Sequence, residues 1–207
     1  MRTCLGNVAV LLRGYAYLRS HDAVALRGIA EDAILNANYV RVKLSDLYPA
    51  AIDEPCMHEC VLQTDPERMR GVKTLDVAKR LLDYGFHAPT VAFPVHGTLM
   101  VEPTESEPLG ELKRFVDAMI NIRKEIAEIE EGKASQGDNV IKNAPHTLCM
   151  ITGEKWDKPY SRQQAAFPIE CSKADKYWPP VTKIDDAWGD RNLLCTCHEF
   201  DVIAEME

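Results

Sequence analysis

No apolar run in this 207-residue sequence reaches the roughly 20 residues that a membrane-spanning helix needs. Positive charge is not in excess either. Lys and Arg number 24 against 32 Asp and Glu, giving a net charge of -8 and a pI near 5.3. That balance argues against broad nucleic-acid binding, which works through a basic patch or stripe. A small anionic ligand stays open, because a few local donors bind one against the global sign. Neither Gly-x-Gly-x-x-Gly nor a Walker A loop occurs, so nothing points to nucleotide binding. Residues 1–12 are mildly apolar beside Arg2 and Arg13, yet they show neither the hydrophobic region nor the cleavage site of a secretory leader. They read as the start of a core helix. The seven cysteines (Cys4, Cys56, Cys60, Cys149, Cys171, Cys195 and Cys197) are odd in number and sit in a chain long enough to need no disulfide scaffold. A reducing compartment is the better reading.

What is present is an ordinary globular mix, 46% hydrophobic and 27% charged, enough for one domain with a core plus appendages. Apolar spacing predicts helices over residues 8–18, 23–44, 74–84 and 108–131. Ser20 or Asp22 is placed to cap the second helix, and Gly85 fits a left-handed position after the third. Inward-facing side chains are expected at Leu26, Ile29, Ala33, Ala37 and Val40 in the second helix, and at Leu75, Ala78, Leu81 and Leu82 in the third. In the fourth they are expected from Leu109 through Leu112, Phe115, Met119 and Ile126 to Ile129. Residues 58–63 alternate as a strand, and 90–94 and 98–102 form two short runs around a Val95-His96-Gly97 turn. The order predicts an α+β unit over residues 20–131, preceded by a helix in 1–19 and followed by an extended, packed C-terminal tail over 132–207. That tail carries Pro145, Pro159, Pro168, Pro179 and Pro180, and all three tryptophans, Trp156, Trp178 and Trp188. Such aromatic content argues for packing rather than disorder.

Reactive chemistry is sparse. Cys56-Met57-His58-Glu59-Cys60 and Cys195-Thr196-Cys197-His198 bring soft ligands close, but they lack the paired hooks of a structural zinc site, and burial is the favoured reading. No Cys/His nucleophile signature is present. Three loops are richer in polar groups than a scaffold requires: residues 85–90 with His87 and Thr90, 101–106 with Glu102 and Thr104, and 142–147 with Lys142, Asn143 and His146. For 101–106, capping of the following helix by Thr104 or Ser106 is the simpler role.

Longer strings add to this. They include Ala33-Ile34-Leu35-Asn36-Ala37-Asn38-Tyr39, Cys56-Met57-His58-Glu59, Leu75-Asp76-Val77-Ala78-Lys79-Arg80-Leu81-Leu82-Asp83-Tyr84-Gly85-Phe86-His87-Ala88-Pro89-Thr90, Phe93-Pro94 and Leu99-Met100-Val101-Glu102-Pro103-Thr104-Glu105-Ser106. Lys142-Asn143-Ala144-Pro145-His146-Thr147, Trp178-Pro179-Pro180-Val181 and Gly189-Asp190-Arg191-Asn192-Leu193 continue the series. In this order the strings resemble the P-protein family of the glycine cleavage system, its C-terminal part.

The resemblance implies the small C-terminal domain of a fold-type I pyridoxal-phosphate (PLP) enzyme, with residues 1–19 as a connecting helix. The family decarboxylates glycine and passes the aminomethyl group to the lipoyl arm of a carrier H-protein, with PLP as electron sink. The family's cofactor lysine follows a histidine, and this sequence has no His-Lys pair. The resemblance therefore implies PLP in the complete enzyme, none held tightly by this chain alone, and a chain catalytically incomplete by itself. It names the large-domain part of the P-protein and H-protein as partners. It also implies self-association through apolar surface left open, and a bacterial cytoplasmic or eukaryotic mitochondrial-matrix location. His87, Thr90, Glu102, Thr104, Lys142, Asn143 and His146 become candidates for facing the cofactor cleft, with His146 an acid/base group or, favoured, a hydrogen-bonding scaffold. Two alternatives stand beside this: a non-catalytic lid or dimerisation module, and a weaker Cys/His metal-binding reading.

Overall fold

The structure, a computed structural model, describes residues 6–64, 69–169 and 176–193. It is α+β. Two helices, α1 (Val8–Arg19) and α2 (Ala23–Leu44), lead into β1 (Cys60–Gln63); α3 (Thr74–Asp83), β2 (Thr90–Val91), β3 (Thr98–Val101) and α4 (Leu109–Glu130) follow. The sheet is antiparallel in the order β1-β3-β2, with Cys60 opposite Val101 and Thr90 opposite Met100. α2 packs on α4 and β1, and α3 packs on α4 and β2, so the core lies between the three long helices and one sheet face.

α4 supplies most of that core. Leu112, Phe115, Val116, Met119, Ile122, Ile126 and Ile129 are buried at helical spacing. Leu109, expected inward, is exposed: it sits in the first turn just after Pro108, which occupies the N-cap without a side-chain hydrogen bond. Thr104 and Ser106 do not cap this helix; their hydroxyls bond to each other at 2.7 Å. At the start of α2, Asp22 accepts from the Ala25 N–H at 2.8 Å and is the cap. α2 has its fully buried residues along its second half, at Ala37, Val40 and Leu44; Ile29 and Ala33 are half-buried, and Leu26, expected inward, is exposed.

Two expectations need correction. The first helix forms where the spacing places it but is no core helix: none of its residues is buried. In α3, Leu75 points outward, while Asp76, Arg80 and Asp83 are buried beside Val77, Ala78 and Leu81. A pattern that assigns every charge to water puts these three on the wrong face.

Beyond Gly132 the described residues hold three short helices, α5 (Leu148–Thr152), α6 (Arg162–Ala166) and α7 (Asp186–Arg191). Between α4 and α5, Val140, Ile141, Ala144 and His146 are buried; Val140 and Ile141 join the main core. No helix among the described residues is long and apolar enough to cross a membrane.

Candidate functional site

A concavity opens where α3 ends. Gly85 takes φ +80°, a conformation open to a residue without Cβ, and turns the chain so that Phe86 packs edge-on against Phe115, ring centroids 5.4 Å apart. The Arg114 guanidinium lies 3.8 Å from the Phe86 ring centroid. Its fork is held by Glu111 at 2.7 and 3.0 Å, and it donates to the Tyr84 carbonyl at 3.2 Å. Above this floor opens a cavity of about 490 Å³ walled by Phe86, Phe115, Val40 and Met100, with His87, Thr90, Glu102, Glu107 and Glu111 as its polar lining.

Three of the seven candidates, His87, Thr90 and Glu102, thus meet in one cavity. His87 and Thr90 come from the α3–β2 loop and the first residue of β2; Glu102 follows β3, which pairs with β2. Glu102 stands 3.7 Å from His58 Nε2, with both side chains more than half exposed. Thr104 lies beside the cavity rather than in its lining, and its carbonyl accepts from Asn36 Nδ2 of α2 at 3.0 Å, which fixes the loop.

Lys142, Asn143 and His146 lie elsewhere, in the hydrogen-bonded underside of the fold. Lys142 Nζ donates to Asp76 at 2.6 Å and to the Gly71 carbonyl at 2.7 Å; Lys183 takes the other Asp76 oxygen at 2.8 Å. Burial opposes ionisation of Asp76, but these two lysines and the Lys73 N–H outweigh it and hold the carboxyl below its ordinary value. Asn143 donates to Asp138 at 2.6 Å and to the Asn139 carbonyl at 3.0 Å.

His146 is wholly buried. Its backbone N–H and Nδ1 reach the two Asp83 oxygens at 2.7 and 2.8 Å, so Nδ1 carries a proton and donates; Nε2 meets the Tyr160 hydroxyl at 2.9 Å. Arg80, also wholly buried, donates to Asp83 at 2.9 Å, to Glu125 at 2.7 and 3.0 Å, and to the Ala165 and Gln164 carbonyls. Burial pushes Asp83 toward the neutral acid, yet the His146 bonds and Arg80 prevail and lower its pKa. Charge-assisted bonds of this length satisfy nearly every buried donor, the condition under which buried charges are tolerated.

The sequence reading missed this network, together with Glu107, Glu111 and Arg114 at the cavity. One signal was present: Asp76, Arg80 and Asp83 fall at i, i+4 and i+7, the spacing of a core stripe. The Cys56–Cys60 segment brings no metal cluster together. β1 begins only at Cys60, so no strand alternation aligns Cys56 and His58 with it. Cys60 is buried, which pushes its thiol up to about 12. Among the described residues no group of three His, Cys, Asp or Glu converges. Cys195, Cys197 and His198 lie outside the described residues.

A family model described as "Glycine dehydrogenase, C-terminal domain" matches residues 29–146, more than half of the chain. The chain belongs to this family. The matched stretch contains all seven candidate residues and ends on His146. Among curated relatives, the glycine dehydrogenase (decarboxylating) of Bordetella avium (strain 197N) is 52% identical over 196 residues, covering 93% of this chain and 20% of the relative. That of Parasynechococcus marenigrum (strain WH8102) is 50% identical over 204 residues, covering 97% and 21%. That of Flavobacterium johnsoniae is 49% identical over 203 residues, again covering 97% and 21%. The chain spans about a fifth of the length of the curated relatives it matches.

Proposed function

We propose that this chain is the C-terminal segment of a glycine dehydrogenase that decarboxylates glycine and delivers the aminomethyl group to the lipoyl arm of an H-protein. The observation that carries this reading is about 50% identity over nearly the whole chain to proteins of that name, supported by the domain match.

The described residues do not fit PLP by themselves. No lysine or arginine is part of the cavity's lining; its charged lining is Glu102, Glu107 and Glu111, the last already paired with Arg114 beneath the floor, and carboxylates do not attract a phosphate ester. In the relatives' length, four-fifths lies outside the matched region, and that part is where the cofactor is to be held. When bound, the cofactor supplies the electron sink. This chain supplies a wall. His87, Thr90 and Glu102 present hydrogen-bonding groups over an aromatic floor, and closing such a wall over a reacting centre excludes water and orients substrate. The complete enzyme is proposed to self-associate, and to work in the cytoplasm of a bacterium or the mitochondrial matrix of a eukaryote.

The test is a graft. This chain replaces the matching fifth of the Bordetella avium relative, and glycine-dependent exchange of labelled carbon dioxide is measured with lipoylated H-protein. Exchange within about tenfold of the parent, a difference of about 1.4 kcal/mol, is expected. A folded graft without exchange would refute the reading.

A further inference from the structure

His87 is exposed and forms no hydrogen bond or ion pair among the described residues, so its own side chain does not fix where it stands. The two ends of a short loop set its place. At the far end Thr90 pairs with Met100 of β3, and the ring of Pro89 fixes a backbone angle just before it. At the near end α3 closes on itself. The Gly85 N–H donates to the Leu82 carbonyl and the Phe86 N–H to the Leu81 carbonyl, both at 3.0 Å, the reach-back pattern that ends a helix on a glycine.

Arg114 of α4 grips that near end. Its Nη1 donates to the Tyr84 carbonyl at 3.2 Å, which sets a cation at the negative end of α3. Its guanidinium lies 3.8 Å from the ring centroid of Phe86, the residue directly before His87. Phe115, the next residue of α4, meets the same ring edge-on. Glu111 accepts from Nε at 3.0 Å and from Nη2 at 2.7 Å, so the fork is held from behind. The Arg114 side chain is 33% exposed, and an ion pair there contributes little by itself. What the arrangement uses is a planar fork with a stacking face, and lysine offers neither. Arg114 is not part of the cavity's lining.

We infer that Arg114 is a positioning residue for His87. It acts through Phe86 and the Tyr84 carbonyl, and it holds the imidazole at the cavity without touching what the cavity holds. The inference rests on the reading that this cavity faces the reacting centre of a glycine dehydrogenase.

The test is Arg114→Lys in the graft, alone and combined with His87→Ala, with hydrogen–deuterium exchange and glycine-dependent carbon dioxide exchange read on the same preparations. The Gly85 and Phe86 amides are expected to exchange about tenfold faster or more, while those of Met119 and Ile122 in the core of α4 keep the parent's rate. kcat/KM is expected to fall about tenfold. In the His87→Ala background the same substitution is expected to change kcat/KM by less than about twofold, because the group it positions is gone. An arginine that only stabilised the fold would lower both backgrounds alike, so equal losses would overturn the inference. Unchanged Gly85 and Phe86 amides would overturn it as well. Phe86→Leu keeps the fork and removes the ring; it carries the same expectations and serves in place of Arg114→Lys should that variant not fold. A folded parent graft without carbon dioxide exchange would refute the functional reading, and the Gly85 and Phe86 amides would still decide whether Arg114 holds the loop.

Discussion

The cavity and the underside of the fold use the same kinds of residue in opposite ways. At the cavity, His87 and Glu102 are exposed and loosely held, the nearest ion-pair contact of Glu102 being His58 at 3.7 Å. Beneath, His146 and Asp83 are wholly buried and bonded at 2.7 to 2.9 Å on every side. Both sets fall inside the same family match. Membership in a family string therefore does not separate a residue that lines a cavity from one that holds the framework. Burial and the count of satisfied bonds do.

Substitutions should split along that line. The largest effect is expected at Arg80→Met, which removes the guanidinium from buried Asp83 and half-buried Glu125. A loss of about 3–5 kcal/mol is expected in urea unfolding, and a change under 1 kcal/mol would break the contrast. Next comes pH. Asp83 and Asp76 both have folded pKa values below the ordinary value, so their contribution is complete above about pH 5 and is lost as the pH falls through about 3.9 and below. Asp83→Asn should flatten this acid limb of a stability–pH curve. Lys176 adds a second rise, at alkaline pH. Burial lowers it to about 8, so the unfolded chain holds more protons between about pH 8 and 10 and stability should rise across that window. Lys142→Met should cost less, about 1 kcal/mol, since Lys183 and the Lys73 N–H still serve Asp76. The smallest effect is expected at the cavity, where Glu102→Gln should shift stability by no more than about 0.5 kcal/mol.

Much of the architecture was legible beforehand. The helices of residues 8–18, 23–44, 74–84 and 108–131 announce themselves by apolar spacing, and Gly85 marks the end of α3 by the conformation it alone takes without strain. The meeting of His87, Thr90 and Glu102 was less legible, because it depends on β2 pairing with β3, a contact between strands too short to define a register from their own pattern. The burial of Asp76, Arg80 and Asp83 was hidden for a different reason. A charge enters a core only when distant partners satisfy it, and Glu125, His146 and Lys183 lie 45 to 107 residues away in sequence from the charges they bond. α1 shows the converse: the spacing of a core helix appears without the core, because a stripe records that something covers it and not what.

The most direct test sets the two histidines against each other in the graft, with melting and glycine-dependent carbon dioxide exchange read on the same preparations. His87→Ala should leave the melting temperature within about 1 °C and lower kcat/KM about tenfold or more. His146→Ala should lower the melting temperature by about 4 °C or more, with activity falling only as the folded fraction falls. The reverse result, an unchanged rate for His87→Ala and a reduced rate at unchanged melting temperature for His146→Ala, would contradict the account.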